Sequence, residues 1–148
     1  MNKIVRVTED HVDFIRVLHD INFQMNYCEE FYTHIVDDPK LGAYVCILDE
    51  HVVGEISYKK KSHESEKHIY ITTLSVDSNY RRRGIATSLL LHLFNEHIDT
   101  NVFSLHTEES NIPAQTLYSS MGFELEGIVS LYYTTEDAYY MVRRKEFY

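Results

Sequence analysis

Tyr80-Arg81-Arg82-Arg83-Gly84-Ile85-Ala86-Thr87 is the stretch on which the reading of this chain turns. It lies between a strand-like run at 69–76 and a helix-like run at 85–97. The first N–H groups of a helix lack intrahelical acceptors, and the positive end of the helix dipole adds to their pull on an anion. Arg81 and Arg83 supply charge-assisted hydrogen bonds suited to phosphate, with Arg82 between them, and Gly84 lets a ligand approach the backbone. The segment 81–87 therefore reads as a pyrophosphate grip, against the plainer reading of a solvated basic turn. It is neither a P-loop nor a Gly-x-Gly-x-x-Gly turn, because the loop holds one glycine and no Gly-Lys-Ser/Thr.

Working outward, 148 residues with 44% hydrophobic content suit one domain over 1–148 with its own core. No Pro/Gly/Ser-rich linker, repeat or low-complexity tract divides the chain. A formal net charge of −9 argues against a nucleic-acid-coating protein, so the triple arginine stands out as a dedicated anion site. The apolar run 89–91, followed by His92, Leu93 and Phe94, is too short to span a bilayer. The first residues lead into a strand pattern, so no signal peptide is expected. Cys28 and Cys46 lack metal spacing and read as reduced thiols of a cytoplasmic protein, with the nucleus also open. Nine histidines are scattered without a His-Glu-x-x-His or Cys-x-x-Cys unit, so no metal is expected.

Hydrophobic periodicity gives the order β-α-α-β-β-β-α-β-α-β-β. Strands are expected at 4–8, 43–48, 52–60, 68–77, 101–107, 123–133 and 138–144. The first helix places Phe14, Leu18 and Ile21 at helical spacing beside Ile15, after a cap at Thr8 or Asp10. Residues 22–26 read as a loop and 27–36 as a second helix, stopped by Asp37-Asp38-Pro39. Asp49, Glu50 and His51 form a hairpin, and 59–67 reads as a solvated loop. The helix after the arginines buries Ile85, Leu89, Leu90, Leu93 and Phe94. A last helix starts at Asn111 and ends at Gly122, and Thr134-Thr135-Glu136-Asp137 reads as a turn. The expectation is a mixed α/β fold, with a mostly antiparallel sheet of seven strand patterns covered by four helices.

Arg81-x-x-Gly84-x-Ala86 resembles the acetyl-CoA pyrophosphate loop of the GNAT acetyltransferases. Ser110-Asn111-x-x-Ala114 followed by Leu117-Tyr118-x-x-x-Gly122-Phe123 is similar to the second half of the same cofactor site. Both signatures occur in the right order, one strand apart, which is more specific than either alone. The bland readings are a helix cap for Asn111, a core aromatic for Tyr118 and a C-cap for Gly122. Tyr70-Ile71-x-Thr73-Leu74, Leu105-His106 and Tyr132-Tyr133 narrow the resemblance to protein N-terminal acetyltransferases of the NatE type. Glu136-Asp137-Ala138 and Met141 also resemble the bacterial ribosomal-protein N-terminal acetyltransferases.

The resemblance implies a splayed sheet, acetyl-CoA as cosubstrate and a protein or peptide N-terminus as acceptor. The cosubstrate is expected at the backbone of Leu74, Ser75 and Val76, at Arg81, Arg82, Arg83, Gly84, Ile85, Ala86 and Thr87, and at Asn111, Ala114, Gln115 and Tyr118. An α-amino group titrates near ~8, so a base of modest strength serves. His106, with an intrinsic value near ~6.5, is the best match, although a satisfied core histidine is its plainer reading. Tyr70, with a value near ~10, is the weaker base and otherwise an ordinary strand aromatic. The resemblance implies that Tyr70 and His106 face each other across a water and that Tyr118 protonates the leaving thiolate.

Phe23, Met25, Tyr27, Ile71, Tyr132 and Tyr133 are the expected acceptor wall. NatE subunits usually carry Phe-Pro-Val where this chain has Phe23-Gln24-Met25, and a methionine where it has Thr72, so a Met-first preference is an open expectation. Lysine side chains, ribosomal protein and small-molecule amines remain alternative acceptors, and a non-catalytic acetyl-CoA-binding auxiliary subunit is a further alternative. An auxiliary subunit or ribosome association is the partner class that the resemblance suggests. No nucleic acid or membrane partner is expected.

Overall fold

The computed structural model describes residues 2–22, 27–61, 65–133 and 136–145, with side chains at 131 and 133 left aside. In chain order the elements are β1 (Lys3–Arg6), α1 (Val12–Asn22), α2 (Glu29–Asp37), β2 (Leu41–Leu48), β3 (His51–Lys60) and β4 (His68–Val76). They continue with α3 (Ile85–Glu96), β5 (Val102–Glu108), α4 (Ile112–Ser120), β6 (Glu124–Tyr133) and β7 (Glu136–Arg144). Single 3₁₀ turns at Glu9–His11 and Ser78–Tyr80 precede α1 and the arginine loop. The expected order holds throughout. Glu136 and Asp137, expected in a turn, instead open β7, because Glu136 pairs with Tyr133 across the strands.

The chain packs as two units, Met1–Lys60 with Ile71–Ile98, and Lys61–Tyr70 with Asp99–Tyr148. In the first, β1, β2 and β3 form an antiparallel ribbon in registers such as Val5↔Val45 and Tyr44↔Ile56. Asp49 (φ 50°) and Glu50 (φ 68°) turn the β2–β3 hairpin in the left-handed region, which matches the twist of paired strands. Gly42 is required by close approach, since a Cβ there would stand 2.4 Å from the Tyr58 hydroxyl. Val7, Ile15, Tyr32, Ile35, Ala43 and Val45 form one core cluster. Ile85, Leu89, Leu90, Leu93 and Phe94 are all buried along α3, as the spacing requires.

One face is corrected. On α1 the buried residues are Ile15, Leu18 and His19, whereas Phe14 is 53% and Ile21 69% exposed. Turning α1 to bury Phe14 and Ile21 would remove His19 from the buried Glu55, and a polar group that loses a hydrogen-bond partner inside the core costs more than two exposed apolar side chains.

In the second unit the first residues of β4 run parallel to β5, from His68↔Val102 to Tyr70↔Ser104. β5 then pairs antiparallel with β7, and β7 with β6. Among the described pairings only β4–β5 is parallel, giving the expected mixed, mostly antiparallel sheet of seven strands in all. The Asn111 side chain caps α4 by accepting from the Ala114 N–H at 3.2 Å. Gly122, at φ 92°, takes the left-handed position just past the helix, and the Phe123 N–H returns to the Tyr118 carbonyl at 3.0 Å.

Candidate active site

The parallel β4–β5 register sets the chemistry of the second unit. Tyr70 stands opposite Ser104, so His106, two residues further along β5, projects from the same face. The Tyr70 Oη lies 2.6 Å from His106 Nδ1. That is a direct hydrogen bond, and it corrects the expectation of a water between the two groups. The Tyr132 ring of β6 stacks on the imidazole at 4.5 Å and 12°, and Tyr140 of β7 approaches to 5.0 Å. The Lys61 ammonium sits 4.6 Å from the Tyr70 ring centroid, in cation–π range.

These neighbours shift the imidazole. Burial penalises the imidazolium first and the Lys61 charge repels it second, so His106 titrates below the ordinary histidine range. A neutral His106 accepts at Nδ1 while the phenol donates, the polarity assigned here to the 2.6 Å bond. The sequence reading found Tyr70, His106 and Tyr132. It missed Tyr140 and Lys61, for different reasons: Tyr140 is one of several tyrosines in a β-rich tail, and Lys61 sits in what reads as a solvated loop.

In the first unit, the arginine loop has the expected strand–turn–helix context. Gly84, at φ 75°, is the N-cap of α3, and open space surrounds the position of a Cβ there. Arg82 is also left-handed, at φ 64°, so the loop coils tightly. The Ser88 N–H reaches the Gly84 carbonyl at 2.9 Å, and the N–H groups of Ile85, Ala86 and Thr87 precede this first α-helical donor. These donors beside an open glycine fit the phosphates of a coenzyme A. Arg81 is engaged within the chain, to Asn22 Oδ1 at 2.5 Å and to the Val76 carbonyl at 3.4 Å. Arg83 lies over the Tyr80 ring at 5.0 Å.

The remaining expected residues are placed as follows. Leu74 and Val76 are half-buried on one face of β4, while Ile71 and Ser75 are buried on the other. The Ser75 hydroxyl bonds Glu55, so only its backbone is left for a ligand. Tyr118 packs edge-on against Phe123 at 5.8 Å, and Gln115 ties the start of α4 to the carbonyls of Glu108 and Glu109 at 3.0 and 2.9 Å. Ala114 donates its N–H to the Asn111 cap. The Tyr27 ring lies tilted to those of Phe31 at 5.0 Å and His19 at 5.2 Å. Phe23 and Met25 lie outside the described residues, as does the Tyr133 side chain. No metal-holding cluster occurs among the described residues.

Comparison with known proteins gives the family. Residues 10–123 match the Acetyltransferase (GNAT) family. The probable N-acetyltransferase san of Drosophila melanogaster is 30% identical over 130 residues, covering 86% of this chain and 70% of that protein. N-alpha-acetyltransferase 50 of Danio rerio is 28% identical over 130 residues, covering 86% and 77%. Among solved structures, Arabidopsis thaliana Naa50 in complex with the bisubstrate analogue CoA-Ac-MVNAL superposes with a TM-score of 0.86 at 25% identity, over 99% of both chains. The glycine-capped arginine loop and the paired tyrosine and histidine thus stand in a chain that belongs to the GNAT family of acetyltransferases.

Proposed function

We propose that this chain is an acetyl-CoA-dependent protein N-terminal acetyltransferase, one domain over 1–148, in which Tyr70 and His106 take the proton from the acceptor amine. The direct Tyr70–His106 hydrogen bond carries the reading. An amine N–H that meets the Tyr70 oxygen gives up its proton there as the phenol passes its own proton to His106 Nδ1. Tyr70 ends unchanged and His106 ends as the imidazolium. The lowered value of His106 keeps it neutral, and so able to receive, at physiological pH. Acetyl-CoA supplies the activated acyl group and a thiolate leaving group.

The chain's own part is to hold and orient. The N–H groups that open α3, with Arg82 and Arg83, bind the diphosphate, and the backbone of residues 74–76 forms an edge for the pantetheine arm. An N–H of that edge serves the developing oxyanion, and Tyr118 the leaving thiolate. Asn111, Ala114 and Gln115 are further candidate contacts of the cosubstrate.

The acceptor is a peptide N-terminus, and Tyr27, Ile71 and Tyr132 are its candidate contacts. The relatives named for N-acetylation, and a bisubstrate ligand whose peptide begins with methionine, support a Met-first acceptor. A large auxiliary subunit is the partner this class of enzyme suggests. Cys28 and Cys46, both unpaired, suit the cytoplasm or nucleus. No described helix is long and apolar enough to cross a membrane.

Acetylation of short peptides that differ only in the first residue tests the reading. Met-first peptides should react, and blocking the α-amino group should abolish the signal. Reaction of the blocked peptides at an internal lysine would replace the N-terminal reading with a side-chain one.

A further inference from the structure

The relay above leaves the buried Glu55 unused. It is fully buried in β3, and side chains of α1 and β4 converge on it. His19 of α1 places Nε2 2.5 Å from Oε1. Thr73 and Ser75 of β4 donate to Oε2 and Oε1, each at 2.9 Å. The network extends to Tyr32 of α2, whose hydroxyl lies 2.9 Å from His19 Nδ1, and to Ser57, whose hydroxyl meets that of Thr73. None of these residues is more than 5% exposed. Packed apolar residues usually serve stability as well as a buried ionic cluster does, so its presence points to a geometric task.

The two ends of the network identify that task. Side chains alternate along a strand, so Thr73 and Ser75 both point to Glu55 and fix the peptide groups around Leu74 from one side. That backbone is the edge assigned above to the pantetheine arm. At the other end the His19 ring lies 5.2 Å from the ring of Tyr27, an acceptor-wall residue. One carboxylate therefore references both substrate-facing elements of this unit to β3.

We propose that Glu55 is a positioning residue for acetyl transfer: through Thr73 and Ser75 it sets the backbone of residues 74–76 for the pantetheine arm, and through His19 it braces Tyr27. The proposal rests on the acetyl-CoA reading but not on which amine is the acceptor. Glu55→Gln keeps the volume and removes the charge. Calorimetry on the intact chain should show acetyl-CoA binding weakened about tenfold through lost preorganisation. Binding of 3′-phosphoadenosine 5′-diphosphate, which has the diphosphate and lacks the pantetheine, should stay within about twofold of the parent, since α3 and its loop are untouched.

Equal weakening of both ligands, or of neither, overturns the proposal, the first by showing general loss of structure and the second by showing a passive core. Should Glu55→Gln not fold, the Thr73→Val/Ser75→Ala double variant removes the β4 donors alone and is read by the same ratio. Peptide acetylation by the parent is assayed separately. A parent that binds acetyl-CoA but modifies no peptide sinks the acceptor reading and leaves the Glu55 ratio to be judged by itself.

Discussion

Single residues decide the chemistry through their surroundings. His106→Ala removes the terminal proton acceptor and should lower kcat about 10²-fold with acetyl-CoA affinity nearly unchanged. Tyr70→Phe keeps the ring and loses the relay oxygen, so a similar loss is expected, and steady-state kinetics on both variants checks it. Parental turnover in either one removes that residue from the mechanism. The pH profile separates the two causes of the His106 shift. Protonated His106 cannot receive a proton, so kcat/KM falls as pH drops through its value. Lys61→Met deletes the repelling charge, the value rises toward the ordinary histidine range, and the acidic limb of the profile should move to higher pH. A limb that stays in place leaves burial as the whole cause. The stability effect has the same sign: the unfolded chain takes up this proton at a higher pH than the folded one, so folding is weakened as pH falls between the two values.

Elements show how local chemistry turns into placement. Asn111 caps α4 with its side chain, and Asn111→Ala should cost about 1 kcal/mol in denaturant unfolding. Gly84 is left-handed with open space around it, so Gly84→Ala pays only the backbone strain, about 1–2 kcal/mol. The added methyl also stands where a phosphate would come close, so acetyl-CoA affinity should fall by more than the stability change suggests. Calorimetry beside a melting curve compares the two effects, and equal losses would make Gly84 a turn residue only. These positions were legible because caps and glycines are local signals. The face of α1 was not. Its periodicity groups Phe14 and Ile21 with Leu18, and the tertiary pairing of His19 with Glu55 turns the helix so that Leu18 is buried with Ile15 and His19 and the other two are exposed.

For the molecule as a whole, element order, the parallel β4–β5 pairing and the α3 core were readable from pattern, since strand and helix periods differ and the loops carry breakers. The Tyr70–His106 meeting was implied by the resemblance, and the parallel β4–β5 register accounts for it. The absence of room for a water between them, the cation on Tyr70 and the buried Glu55 were not readable, because each depends on side chains from separate strands meeting in three dimensions. The thiols test the whole packing. Cys46 is fully buried, with burial pushing its thiol up, while Cys28 is exposed. Native protein should therefore react with one equivalent of a thiol reagent and denatured protein with two. Two fast equivalents in the native state would show that β2 opens easily.

The bond from Arg81 to Asn22 joins the mouth of α3 to the last residue of α1. A diphosphate that draws the Nη2 donor of this guanidinium to itself would release that amide. Occupancy at one end is then thermodynamically linked to freedom at the other, and by reciprocity whatever restrains Asn22 alters the grip on the nucleotide by an equal factor.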